Sequence, residues 1–345
     1  MIHTYGTPLL IDDFEYVPSI LLEMKKLVDK KALAGEDCSG MFWLISSQKF
    51  NLMQGVSDSL AGRMAIFELS SLSSAEIEAR PHAVFKADLN SLHERLKNCN
   101  FKNIHQIYED IFRGGLPKLR TSKLERERFY AEYINNYLER EIRSAAQVLK
   151  VNEFYDFLVL LASHTAQELN YKKLAISLDV SAPTIKYWIC LLERSGMIFL
   201  LYPYFNQGAK RLVKRPKVYF MDTGLVAYLA RWPNAQTLEK GALDLAILKT
   251  YVVSEIVKSY LNAGLALNLF YYRDWEQHEI DLLIVGSDKI YPIEIKKNKA
   301  PSNVYQNFSG LKQFHKDIAP LTILCQSEEL IPYNKEAWYC PLSVF

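Results

Sequence analysis

The stretch Glu279-Ile280-Asp281-Leu282-Leu283-Ile284-Val285, then Gly286-Ser287-Asp288-Lys289, then Ile290-Tyr291-Pro292-Ile293-Glu294-Ile295-Lys296, decides the fold. Two runs rich in Ile, Leu and Val around a Gly-Ser-Asp turn read as strand, turn, strand. Successive strand side chains point to opposite faces, so Glu294 and Lys296 share one face and Ile293 and Ile295 the other. On the first strand Ile280, Leu282 and Ile284 form the apolar set, which leaves Asp281 on the opposite side. Pairing through the turn brings Asp281 toward Glu294, with Lys296 beside them. Two carboxylates can hold Mg2+ or Mn2+ through oxygen, and an adjacent ammonium can orient or activate a metal-bound water.

The flanking elements extend this reading. Apolar periodicity predicts a helix over 243–261 and a strand over 269–272 before the hairpin. A helix over 302–314 and a strand over 321–325 follow it. That α-β-β-β-α-β order, with Asp281 and the Glu294-Ile295-Lys296 triplet, resembles the core of the PD-(D/E)xK, restriction-endonuclease-like fold. The resemblance implies a metal-dependent phosphodiesterase, with Asp281 and Glu294 as metal ligands and Lys296 completing the catalytic set. The plainer alternative is an antiparallel hairpin whose polar face meets water.

Composition bounds the rest. A chain of 345 residues exceeds one ordinary core, so several domains are expected. Apolar residues at 49% and charged residues at 23% match a folded protein rather than a disordered one. A net charge of +2 leaves any nucleic-acid contact to local patches. No apolar run approaches the ~18 residues that span a bilayer, so no membrane partner is expected. Met1-Ile2-His3-Thr4 lacks the basic and apolar regions of a signal peptide. Five scattered cysteines without a C-x-x-C pair fit free thiols in a reducing cytoplasm.

From the N-terminus, Leu9-Leu10-Ile11 reads as a buried strand ending in Asp12-Asp13, and a helix follows Pro18. Met41-Phe42-Trp43-Leu44-Ile45 is the next strand, ending in Ser46-Ser47-Gln48, and a further strand is expected over 65–69. Ser73 and Glu76 have capping-box spacing. This alternation predicts a parallel sheet covered by helices. The residues resemble the second half of a P-loop ATPase domain of the AAA superfamily, of the prokaryotic kind whose C-terminal region is a domain of unknown function (number 4143). The resemblance puts Asp12 and Asp13 at the Walker B position and Ser47 and Gln48 at the γ-phosphate-sensing strand end. It puts Arg63 in a Leu-Ala-Gly-Arg signature. A Walker A loop, G-x-x-x-x-G-K-[ST], cradles the phosphates, and none occurs in these 345 residues. ATP is therefore not expected as a cofactor of this stretch, and Asp12 and Asp13 read as a polar strand end. A sheet without its Walker A strand and helix is expected to leave its first strand exposed or to have it covered by another protein.

Residues 103–149 read as helical, with a stop at Gly114-Gly115. Three helices follow, over 154–169, over 171–178, and one capped by Ser181 with Pro183 in its first turn. With strands over 197–201 and 218–220, they look like a winged helix-turn-helix. Its wing would carry Lys210, Arg211, Lys214, Arg215 and Lys217. Thr184, Lys186, Tyr187 and Arg194 would face the groove of double-stranded DNA, while the basic loop neutralises phosphates. The alternative is a packing or docking module with a solvated loop. Asp222 is placed to cap a helix over 224–230.

The expected architecture is a multidomain α/β chain. Residues 1–80 form a partial P-loop NTPase sheet, 81–150 a helical lid, 151–235 a winged helix and 236–345 the nuclease-like domain. Its function is a DNA-associated ATPase-like protein with a degenerate nuclease domain, a metal-dependent nuclease, or a non-catalytic protein-interaction module.

One residue weighs toward degeneracy. In the resembling ATPases a Glu stands where Ile247-Leu248-Lys249-Thr250-Tyr251 has Lys249, and nuclease folds of this type often point such a Glu at the metal. A lysine there repels a cation and is expected to pair with Asp281 or Glu294. Glu255 lies about 600° further around the helix and faces away.

Overall fold

The computed structural model describes residues 6–46, 62–137, 151–204, 215–274, 276–302, 307–308, 311–312 and 317–345. Ser47, Gln48, Lys210, Arg211 and Lys214 lie outside them. The chain divides into two units, Met1–Phe67 with Cys190–Ser195, and the remainder.

In the first unit, β1 (Leu9–Asp12) and β2 (Phe42–Ile45) pair in parallel on either side of α1 (Ile20–Leu33) in sequence. Both strands alternate half-buried and exposed positions. Leu9, Ile11, Phe42 and Leu44 pack on Leu21 and Met24 of α1 with Phe14. Leu10, Trp43 and Ile45 are exposed on the other side. A strand expected over 65–69 does not form. Its apolar residues have no ladder partner among the described strands, and Phe67 and Leu69 lie in solvent.

The second unit opens with α2 (Ser74–Ile77), started by the expected Ser73–Glu76 capping box. There follow α3 (Leu89–Lys97), α4 (Ile104–Arg113), α5 (Pro117–Thr121) and α6 (Arg126–Tyr137). Next come α7 (Val151–Ser163), α8 (Tyr171–Ser177) and α9 (Ala182–Arg194). The helix α7 ends earlier than its apolar run, because the chain turns through Ala166 at φ 60 and Ala166 N–H bonds the carbonyl of Val218 at 2.7 Å. Phe154 and Phe157 of α7 hold Trp188 of α9 at ring distances of 5.3 and 5.2 Å. Helices α8 and α9 meet at a bend of 107°.

Strands β3 (Ile198–Pro203) and β4 (Lys217–Phe220) form an antiparallel hairpin. After α10 (Thr223–Leu229), α11 (Ala235–Glu239) and α12 (Asp244–Leu261) come β5 (Leu269–Arg273), β6 (Glu279–Val285) and β7 (Ile290–Ile295). Strands β8 (Leu321–Cys325), β9 (Ile331–Asn334) and β10 (Ala337–Pro341) close the chain. Eight strands make one mixed sheet in the order β4-β3-β5-β6-β7-β8-β10-β9. The β3–β4 hairpin joins it through Tyr202 and Pro203, which run parallel to Phe270 and Tyr271. Helix α12 packs across β4 and β7, which brings Lys249 to the hairpin.

A cluster around Asp222 ties the helices down. Asp222 caps α10 through Leu225 N–H at 2.8 Å, as its position in the sequence predicts. It also accepts from Gly115 N–H and from the hydroxyl of Tyr130, each at 2.7 Å. A Cβ on Gly224 would stand 2.2 Å from that hydroxyl, so only glycine fits. Among the described residues no single helix is long and apolar enough to cross a membrane.

Candidate functional site

Strands β6 and β7 are antiparallel with Leu282 opposite Ile293, and continuing that register puts Asp281 opposite Glu294. Neither carboxylate meets water: Asp281 is 2% exposed and Glu294 1%. The reading of a solvated polar face does not hold, because helices cover this sheet. Lys249, from α12, donates its ammonium to Asp281 Oδ1. The Ile295 backbone N–H donates to Asp281 Oδ2 at 2.9 Å. Lys296 pairs with Glu294 Oε2 at 3.1 Å. Asp281, Glu294, Lys296 and Lys249 therefore meet at one point. Glu255 is elsewhere, as its place on the helix requires, accepting from Ser74 N–H at 2.7 Å and pairing with Lys258.

Electrostatics set the two acids apart. Burial alone would raise Asp281, but the ammoniums of Lys249, Lys217 and Lys296 outweigh it and hold the carboxyl well below its ordinary range. Burial and the charge of Asp281 push Glu294 up to about 8, with Lys296 opposing. Glu294 Oε1 is buried without a hydrogen-bond partner. As a carboxylic acid, Glu294 can satisfy that atom by donating toward Asp281. Burial alone would lower Lys249, but Asp281, Glu294 and Glu279 keep it charged and raise it.

A group raised in the folded state stabilises the fold fully below its ordinary value and loses that contribution as pH rises through the folded one. The Glu294 contribution, on the order of a few kcal/mol, therefore disappears between about pH 5 and about pH 9. Thermal unfolding should show the wild-type midpoint falling across that window. Glu294→Gln, neutral at every pH, should lose most of the slope, and equal slopes in the two proteins would remove Glu294 as the source.

Lys217 corrects the sequence reading. Its place beside Arg215 in a basic run predicts a solvent-facing wing residue, yet it is buried at the start of β4 and bonds Glu279. It lies 4.9 Å from the Tyr271 ring centre. All four residues of β4 are buried, so a strand position outweighs the basic context. Tyr219, two residues on, has a buried hydroxyl with no partner. Burial, then Asp281 and Glu279, raises it well above the ordinary tyrosine range. Neither residue carries a motif that would have marked it.

A divalent ion does not fit the pair as it stands. Both oxygens of Asp281 are engaged, one by an ammonium, and only Glu294 Oε1 lacks a partner. Among the described residues the trio of acids and imidazole at metal-ligand spacing is Asp274, Glu276 and His278, not Asp281 and Glu294.

The other expected sites are separate. Lys186 and Arg194 are exposed on α9, with Tyr187 half-buried between them. The hydroxyl of Thr184 lies 2.7 Å from that of Ser181, whose Oγ accepts Thr184 N–H, so Thr184 belongs to the helix cap. Arg215 is exposed, and its carbonyl accepts from the Tyr271 hydroxyl at 2.6 Å. Asp12 and Asp13 are exposed at the end of β1, where Asp12 Oδ1 accepts Asp13 N–H at 2.9 Å. Arg63 pairs with Asp29 at 2.7 Å.

The chain carries an AAA-type stretch at its N-terminus and a domain of unknown function at its C-terminus. Residues 1–78 match the AAA domain model, and residues 246–345 match the domain of unknown function 4143. Residues 104–236 match a second domain of unknown function, 8612. Two uncharacterized proteins, one of Mycobacterium tuberculosis and one of Mycobacterium bovis, are each 26% identical to it over 329 residues. The match covers 94% of this chain, which spans 66% of the length of each relative. No solved structure matches the chain.

Proposed function

We propose that the protein is DNA-associated and that residues 236–345 form a PD-(D/E)xK nuclease-like domain that cleaves weakly or not at all. The observation that carries this is the Lys249–Asp281 bond, an ammonium held where a divalent cation would be. The element order α12-β5-β6-β7 and the Asp281–Glu294–Lys296 grouping support the nuclease-like fold. Winged helix-turn-helix motifs join helices at about 90–120°, and the 107° bend between α8 and α9 supports that reading of residues 151–235. The test is magnesium- or manganese-dependent cutting of plasmid DNA by wild type, Lys249→Glu and Asp281→Ala. Little or no cutting by wild type is expected. Robust wild-type cleavage that Asp281→Ala abolishes would establish a live nuclease instead.

The DNA component has its own expected result. Replacing Lys210, Arg211, Lys214 and Arg215 with Ala should weaken duplex binding. The slope of log affinity against log salt should fall by about one for each phosphate no longer neutralised. Unchanged binding would leave that basic run without a role in DNA recognition.

A second reading, a non-catalytic interaction module, is favoured by the exposed Leu10, Trp43 and Ile45 on the open face of the β1–β2 sheet. Parallel sheets ordinarily have both faces covered, so a protein partner would seat there. Under that reading Trp43→Asp abolishes partner capture and leaves duplex affinity unchanged.

A further inference from the structure

The buried acid pair presents its lysines outward, and this gives the site a use that needs no metal. Lys249 and Lys296 each hold one carboxylate oxygen, Asp281 Oδ1 and Glu294 Oε2, and an ammonium has three donors. Both side chains are partly exposed, 17% for Lys249 and 29% for Lys296, while the side chains of Asp281 and Glu294 are at 3% and 2%. The part of this group that solvent reaches is therefore the lysine side chains and not the carboxylates. The carboxylates fix where those ammoniums sit, because Asp281 and Glu294 stand opposite each other on paired strands.

Neighbouring cations do not share this arrangement. Lys217 is buried and closed onto Glu279. Lys297 is spent on Asp244 at 2.8 Å and on the carbonyl of Glu239. Arg273 is closed onto Glu168 and lies 3.8 Å from Glu279.

We propose that Lys249 and Lys296 form a metal-independent clamp for a phosphodiester of the nucleic-acid backbone, anchored from below by Asp281 and Glu294. This rests on the reading of the domain as nuclease-like and degenerate. In a live enzyme the phosphate would be held through the metal. Here the tethered ammoniums take that place, so the domain would hold a strand without cutting it. Lysine acts as a point charge on phosphate, which suits docking without base recognition.

The test is anisotropy of a labelled DNA duplex with the intact chain in EDTA, across a salt series, for wild type and Lys296→Met. Lys296 is the more exposed of the pair, so its loss spares the fold, and thermal unfolding of each protein verifies this. Binding by wild type in EDTA is expected, weakened several-fold by Lys296→Met, with the salt slope lower by about one. Inorganic phosphate should compete better than chloride at equal ionic strength in wild type, and lose that advantage in Lys296→Met. Absence of binding in EDTA, or equal affinity and slope in a folded Lys296→Met, would overturn the clamp while leaving the degenerate reading intact. Binding that appears only with Mg2+ and is followed by cleavage would overturn both.

Discussion

Lys249→Met should cost the folded protein roughly 3–5 kcal/mol at neutral pH, the usual penalty for removing one partner of a buried ion pair. Methionine keeps most of the lysine stem, so the loss is of charge rather than of packing. Asp281 would keep the Ile295 N–H at 2.9 Å but lose the ammonium on Oδ1, with Lys217 and Lys296 as its remaining nearby cations. The effect carries a pH signature. Without Lys249 the burial of Asp281 is less compensated, its carboxyl rises from the depressed value, and protonation relieves part of the penalty. The deficit should therefore be smaller near about pH 4 than near about pH 8. Chemical denaturation of both proteins at the two pH values measures this. A deficit equal at both would assign Lys249 a packing role.

Asp222→Ala should be nearly as damaging. One carboxylate satisfies the Tyr130 hydroxyl, Gly115 N–H and Leu225 N–H, all within 2.8 Å. A buried donor left without an acceptor costs about 1–3 kcal/mol, so the three together reach roughly 3–5 kcal/mol once partial relaxation is allowed. The surroundings of Asp222 are closely packed. A Cβ on Gly114 would lie 2.3 Å from the Tyr130 hydroxyl and 2.8 Å from Asp222 Oδ1. Tyr130→Phe alone removes one of these bonds and should cost less than Asp222→Ala. In the double variant the two losses should fall short of additivity, because they share a bond. Urea midpoints decide the matter, and a loss under about 1 kcal/mol for Asp222→Ala would show that water reaches these donors.

The acid pair was legible in the sequence because a hairpin with a short turn has few registers, and strand periodicity then fixes which residues meet. Lys249 was legible only through family resemblance, which set a lysine against the usual glutamate, and its choice of Asp281 over Glu294 needed the structure. Asp222 could be read locally, since a cap acts within its own first turn. Lys217 could not be. Its burial depends on Glu279, which is 62 residues away. A basic neighbourhood in sequence argues for solvent until such a partner is known. The strand expected over 65–69 failed for a related reason: β-propensity describes a segment, whereas a strand requires a partner. The joining of the β3–β4 hairpin to β5, and the insertion of β10 between β8 and β9, are likewise non-local pairings that periodicity does not record.

Calorimetric titration of Mn2+ into wild type, Asp281→Asn, Lys249→Glu and Lys249→Glu/Asp281→Asn tests most directly whether an ammonium has replaced a metal. Lys249→Glu places a third carboxylate beside Asp281 and Glu294, so it should be unstable in EDTA, gain stability with Mn2+, and bind one ion. Wild type should bind none at the acid pair. Any weak binding by Asp274, Glu276 and His278 is recognised by its persistence in Asp281→Asn. A wild-type site for one Mn2+ that Asp281→Asn removes, or a Lys249→Glu protein indifferent to Mn2+, would contradict it.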